Sequence, residues 1–169
     1  EEVKPLFEEA FHRVWNNQME DDGFNKLVLD AELEWRQIVM LRGYCKYLLQ
    51  AAILYSQSYL EDTLANQVDI TKMIVELFEF RFDPELAPKS GKRTEKLKDK
   101  LSKALDNVVS LDEDRILRRY VNIIESTLRT NFYQPAEDGS PKPYVSFKID
   151  SGNVDELPLP RPACNPDTQ

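Results

Sequence analysis

The sequence predicts a mainly α-helical fold: a multi-helix, orthogonal or bundle-like domain followed by a C-terminal strand or hairpin and an extended proline-rich tail. Three observations carry that expectation. Apolar residues recur at three- and four-residue spacing through most of the first 130 positions, one run near the C-terminus alternates instead, and prolines and glycines punctuate the stretches between. With 169 residues, 41% of them hydrophobic and 31% charged, the chain can bury a core without cross-links.

From residue 3 to about 19 the positions Val3, Leu6, Phe7, Ala10, Phe11, Val14 and Trp15 form an apolar helical stripe, which Glu20, Asp21, Asp22 and Gly23 bring to an end. A shorter helical piece over 24–33 leads into 35–55, where bulky groups occupy two faces. Ile38, Val39, Cys45, Leu49 and Ile53 stand on one, and Leu41, Tyr44, Leu48 and Tyr55 on the other, so this helix is expected at the centre. Trp35, Ile38, Leu41, Leu49 and Leu117 are the expected core residues. Helices over 58–66 and 70–82 come next, the second turning Met73, Ile74, Leu77 and Phe78 inward and stopping at Asp83 and Pro84.

A linker over 84–91 precedes a surface helix whose Leu97, Leu101, Ala104, Leu105 and Val108 lie opposite its lysines. The last long helix begins with the capping-box pattern Ser110, Leu111, Asp112, Glu113 and carries the stripe Leu117, Tyr120, Val121, Ile124 and Leu128. Past Asn131 the composition changes. Pro135, Gly139, Pro141 and Pro143 mark a loop, and 144–150 then alternates, with Val145, Phe147 and Ile149 opposite Ser146, Lys148 and Asp150. This strand is expected to pair with 131–134, and the stretch 157–162 to run extended as polyproline. The pattern divides the chain into a helical linker or docking domain, 1–134, and a loop, strand and tail, 135–169.

The chemistry-bearing residues are sparse. His12 is the single histidine, no HExxH or CxxC spacing exists, and His12 reads as a surface residue of its helix. The five glycines are too scattered for a dinucleotide fingerprint or a phosphate loop, and consecutive helices do not build a doubly wound sheet. The acidic cluster at 20–22 reads as a solvated helix end. The cluster at 112–114 reads as a complement to a helix N-terminus, with Asp114 reaching Arg118.

The seven basic residues between Lys89 and Lys103 read as the wet side of an amphipathic helix, and the net charge of -8 disfavours nucleic acid and anionic membrane. Cys45 and Cys164 lie far apart, and Cys45 falls in an apolar helical stretch, where it reads as an inert buried thiol and not as half of a bridge; this fits a reducing, cytoplasmic setting. No run approaches the roughly 18 apolar residues of a membrane span. The chain starts Glu-Glu-Val without an initiator Met, so excision from a longer polypeptide is expected. No residue is assigned a catalytic, cofactor-binding or metal-binding role.

The run WRQIVMLRGYCKYLLQ at 35–50 resembles the helical region that precedes the catalytic core in the large, very long-chain NAD-dependent glutamate dehydrogenases of bacteria. Further blocks follow in the family's order: QSYL at 57–60, VELFEFRFDP at 75–84, SLDEDRILRR at 110–119, TLRTNFYQ at 127–134 and KPYVSFKID at 142–150. Together they span most of residues 6–162, and beyond Pro162 the likeness ends. The resemblance implies an oligomeric cytoplasmic parent that uses NAD to deaminate L-glutamate to 2-oxoglutarate and ammonium. It implies a local structural task for this segment, whose partners would be the rest of the polypeptide and further copies. A free-standing helical interaction module, holding a protein through Tyr44, Tyr47 and Tyr55 or through the lysine-rich helix, is the alternative.

Overall fold

The structure, a computed structural model, describes residues 3–51 and 53–158. Seven α-helices and a two-stranded antiparallel sheet make up the described residues: α1 Val3–Trp15, α2 Leu27–Asp30, α3 Trp35–Gln50, α4 Gln57–Asn66, α5 Val68–Phe82, α6 Gly91–Leu105, α7 Leu111–Ser126, β1 Thr127–Thr130 and β2 Phe147–Ile149. The mainly α fold with a terminal hairpin is the one the apolar periodicity predicts. Residues 159–162 of the expected polyproline tail, and Cys164, lie outside the described residues.

Local chemistry sets most of the boundaries. Helix α1 stops four residues before the expected Met19 because Asn17 takes a left-handed conformation, φ 55°. The Gln18 N–H then reaches back to the Arg13 carbonyl at 2.8 Å, a Schellman closure that asparagine tolerates at little cost. The piece expected over 24–33 is two short turns, a 3₁₀ turn Gly23–Lys26 and the single α-turn of α2. Helix α3 opens with the Gln37 side chain accepting the Glu34 N–H at 2.8 Å. It ends at Gln50, short of the expected Tyr55, although nothing in the sequence breaks it there. The chain must reverse into α4, whose Ser56 hydroxyl accepts the Tyr59 N–H.

Helix α5 ends at Asp83 and Pro84 as predicted. The Ser110 hydroxyl accepts the Glu113 N–H at the start of α7, and Arg118 pairs with Asp114 at 2.8 Å. The stripe assigned to α7 is too long by one turn. Its last member, Leu128, is half exposed on β1, because the backbone turns extended at Thr127, φ -76° and ψ 124°, where that residue pairs with Ile149. The hairpin therefore forms one segment earlier than expected. Strand β2 pairs with 127–130 and not with 131–134, in the register Thr127 with Ile149, Arg129 with Lys148 and Thr130 with Phe147, with an irregularity after Thr127. Residues 131–135 continue as a looser arm: Asn131 N–H bonds to the Ser146 carbonyl, and Pro135 bridges Pro141.

One core runs through all these elements. Ile38, Leu41, Tyr44 and Cys45 of α3 meet Leu60 and Leu64 of α4, Ile74, Leu77 and Phe78 of α5, Leu101 of α6 and Leu117, Tyr120 and Ile124 of α7. Val145, Phe147 and Ile149, the predicted inward face of the strand, pack against it. Ile38, Leu41 and Leu117 are core residues as expected. Trp35 and Leu49 are corrected to partly buried positions at its margin, since α3 is covered on the side of Leu48 and only fringed on the side of Leu49. Leu48→Ala is accordingly expected to cost about 2–5 kcal/mol in urea unfolding, and Leu49→Ala distinctly less. Equal losses at the two positions would contradict this packing.

Candidate functional site

Two concave regions lie along α3. The first is a cleft of about 440 Å³ between α3, α5 and the arm after β1, lined by Glu34, Arg36, Gln37, Glu79, Asp83 and Tyr133 among others. Arg36 extends from the first turn of α3 and donates to the Phe132 carbonyl at 2.5 Å and the Lys142 carbonyl at 3.3 Å, with its guanidinium 4.6 Å from the Phe132 ring centre. It thereby ties both strands of the arm to the helix. Burial lowers its pKa from the ordinary arginine value.

Opposite Arg36, Gln37 donates to Glu79 at 2.7 Å. Burial holds the Glu79 carboxyl above its ordinary range, the Gln37 hydrogen bond pulls the other way, and Glu34 and Asp83 add repulsion. The Tyr133 phenol is likewise raised, by burial first and then by Glu79 and Asp83. Arg36 is occupied with backbone carbonyls and Glu79 accepts from an amide, while at the rim the Ser140 hydroxyl donates to Asp138 at 2.6 Å within an exposed turn. What the arrangement does chemically is fix the arm.

The second region is a groove of about 630 Å³ among the end of α1, the loop after it, α3 and residues 143–145. Beside it the structure corrects, at Asp22, the reading of the acidic cluster at 20–22 as a solvated helix end, while Glu20 and Asp21 are exposed. Asp22 is largely buried and takes a bidentate ion pair from Arg42 of α3, with Nε at 2.6 Å and the second nitrogen at 2.8 Å. Arg42 is 4% exposed, and that same second nitrogen also donates to the Glu20 carbonyl at 3.3 Å and the Asn25 side chain at 3.1 Å. Glu20 itself pairs with Lys46. The cluster is a fastening for the loop, and the signal for it was present: Arg42 and Lys46, one turn apart on α3, stand among otherwise apolar neighbours.

The remaining candidates stay apart. His12 is exposed on α1 and contacts Asn16. At the start of α7, Asp112 accepts from the Tyr55 hydroxyl at 2.7 Å, and Glu113 accepts from Asn66 and Gln67. On α6, Lys98 pairs with Glu125 of α7 at 2.6 Å, whereas Lys92, Arg93, Lys96, Lys100 and Lys103 face solvent, as a surface helix requires. Cys45 is buried, and burial pushes its thiol up to about 11, which suits an unreactive group. Of the three tyrosines of the alternative reading, Tyr44 is fully buried and so corrected out of that surface, whereas Tyr47 and Tyr55 are partly exposed, the Tyr55 hydroxyl resting on Asp112. Among the described residues no group of three or more His, Cys, Asp or Glu side chains is placed to hold a metal, and no helix is long and apolar enough to cross a membrane.

Two family profiles match this chain in succession. "Glutamate dehydrogenase, helical motif 3" matches residues 19–84, and "Bacterial NAD-glutamate dehydrogenase, catalytic domain" matches residues 100–165. The chain belongs to the bacterial NAD-dependent glutamate dehydrogenase family. Relatives named NAD-specific glutamate dehydrogenase include one from Halomonas elongata, 42% identical over 98% of this chain, and one from Pseudomonas aeruginosa, 39% identical over 96%. A third, from Mycobacterium tuberculosis, is 39% identical over 92%. In each case the chain spans about 10% of the relative's length. The catalytic-domain match begins inside α6, and the composition change at Gln134 falls within it.

Two outcomes check this geometry. Arg42→Met leaves Asp22 buried without its partner and is expected to cost about 3–5 kcal/mol, with a large part recovered in the double variant with Asp22→Asn. A double-mutant cycle with no coupling would sink the assignment of a buried pair. At Glu79 the native state holds its proton more tightly than the unfolded chain does, so stability falls as pH rises from the ordinary carboxylate range through the raised value. Glu79→Gln keeps an acceptor for Gln37 and removes that loss. The variant should be more stable than the parent sequence at neutral pH, and the difference should vanish below about pH 4. An advantage that persists unchanged into acid would show that ionisation is not its source.

Proposed function

We propose that this chain is a non-catalytic helical segment of an NAD-dependent glutamate dehydrogenase, and that it supports domain docking or oligomer contacts. The parent reaction would be L-glutamate, NAD and water to 2-oxoglutarate, ammonium and NADH, in a cytoplasmic, oligomeric enzyme. NAD would be the parent's cofactor, bound outside this segment. The partners would be the remainder of the same polypeptide and further copies of it, and neither nucleic acid nor membrane.

One observation supports this reading above the others: the stretch matching the helical motif and the stretch matching the catalytic domain share a single core. Tyr44, in the first stretch, bonds Thr127 of the second at 3.0 Å and stacks on Phe147, and the Tyr120 hydroxyl reaches the Leu41 carbonyl. A joint of this kind suits a support that transmits position from one part of a long chain to the next. We read 1–134 as the helical linker or docking part, and the arm and strand beyond as the lead toward the catalytic residues.

Calorimetric titration with NAD and with glutamate, run on this chain beside the full-length protein, tests the proposal. Saturable NAD binding is expected for the full-length protein and none for the segment, whose five scattered glycines build no glycine-rich turn at a helix N-terminus for a pyrophosphate. Stoichiometric NAD binding by the segment alone would defeat it, and so would a native reading frame that closed near Gln169.

A further inference from the structure

Helix α1 carries more apolar surface than this fold covers. At 3.6 residues per turn its apolar side chains fill one continuous arc of roughly half the helix circumference. Along one side of the arc Ala10 is buried, and Leu6 and Val14 pack against the core. Along the other, Phe7, Phe11 and Trp15 are 46%, 57% and 77% exposed. These three rings stack on one another, with centroids 6.2 and 6.1 Å apart, and make a ladder along the helix. Val14 and Asn17, at the end of the same helix, border the groove of about 630 Å³ that also takes in Met19, Val39, Pro143 and the exposed Tyr144.

We propose that this face of α1 is a docking site for an apolar surface of the same polypeptide, contributed by the part of the protein that precedes this chain. The proposal rests on the reading of the chain as a segment of a longer enzyme, and it names the surface and the occupant. Three observations select that occupant. The relatives are about ten times as long as this chain, so a large intramolecular partner is at hand. The helix lies ahead of residue 19, where the helical-motif match starts, so its outer face belongs to neither matched unit.

The charges beside the ladder are already paired, which leaves apolar contact as the means of recognition. Lys4 faces Glu8 at 3.6 Å, and Arg13 bonds Glu9 at 2.7 Å while lying 4.5 Å from the Trp35 ring centre. Tethering then favours the preceding segment over a second copy. A directly connected surface acts at an effective concentration on the order of millimolar, whereas a second copy must meet the full translational and rotational cost of association.

The test uses the full-length protein, with hydroxyl-radical footprinting read out by peptide mass spectrometry and the partly buried Trp35 as internal standard. Trp15 is expected to be oxidised no faster than Trp35. Oxidation several-fold faster would mean that the face stays wet in the whole protein, and would overturn the proposal. A benzophenone amino acid in place of Phe11 then identifies the occupant. The expected product on irradiation has the mass of one chain and joins position 11 to a peptide preceding Glu1. A product of two-chain mass would assign the face to a second copy, and a peptide following Gln169 would assign it to the other end of the molecule; either refutes the proposal. Both refuting results leave the segment within a longer glutamate dehydrogenase, so they are distinct from a failure of the functional reading, which the reading frame and the NAD titration decide.

Discussion

Phe147 lies flat on Tyr44, with 4.3 Å between ring centroids, and it does so because residue 43 has no side chain. A Cβ at Gly43 would stand 2.8 Å from the Phe147 ring, closer than such atoms come. Glycine within a helix costs about 1 kcal/mol relative to alanine, and here that cost is offset by the seating of a strand residue directly on the helix barrel. Tyr44 makes the contact count more than once. Its ring meets Phe78 of α5 edge-on, and its hydroxyl meets the Thr127 hydroxyl at 3.0 Å, at the residue where α7 gives way to β1. Burial raises the phenol's pKa far enough that it stays neutral and available as a donor. Helix α3, helix α5, the end of α7 and the hairpin thus meet at one side chain.

That contact also explains which parts of the fold could be read from the sequence. Helices α5, α6 and α7 are each set by their own stripe and their own punctuation: Met73, Ile74, Leu77 and Phe78 before Asp83 and Pro84; Leu97, Leu101 and Leu105 against lysines; Ser110 with Glu113. These are local signals, and the structure follows them. The hairpin partner was not legible, because 127–130 continues the helical period of α7 and only its pairing with 147–149, a non-local contact, makes it a strand. The burial of Asp22 was only half legible: Arg42 and Lys46 among apolar neighbours call for acidic partners, but do not say which. An acid in a run of acids looks solvated until the position of Arg42, twenty residues away, is known. Gly43 could have served as a clue, since a lone glycine within an apolar helix often marks a close approach, but the sequence does not say by what.

The helical-motif and catalytic-domain matches meet in a region that has no structural seam. Lys98 of α6 pairs with Glu125 of α7, Leu101 joins the common core, and α7 itself packs among α3, α4 and α5. The change of composition near Gln134 falls within the hairpin arm, eight residues after α7 ends, and Arg36 reaches from α3 to carbonyls on either side of it, at Phe132 and Lys142. A displacement of α3 would carry the hairpin with it, since the arm has both an aromatic seat and a guanidinium tie on that helix.

The same argument applies to the α1 side of α3, and it bears on how the aromatic face of α1 is presented. The loop after α1 is fixed by the bidentate Asp22–Arg42 pair, which is largely shielded from water, and by Glu20 on Lys46. Arg13, near the end of α1, lies over Trp35 at the start of α3. Helix α1 is thereby held to α3 at several points, and its outward direction is set before any partner arrives. Ordering a mobile segment during association costs free energy for each immobilised side chain, so a face already held in place retains more of the gain from burying Phe7, Phe11 and Trp15. A buried ion pair adds little to stability when compared with apolar packing of the same volume. Its value at Asp22 and Arg42 is directional: it admits one loop geometry, and that geometry turns the unused half of the apolar arc away from the core.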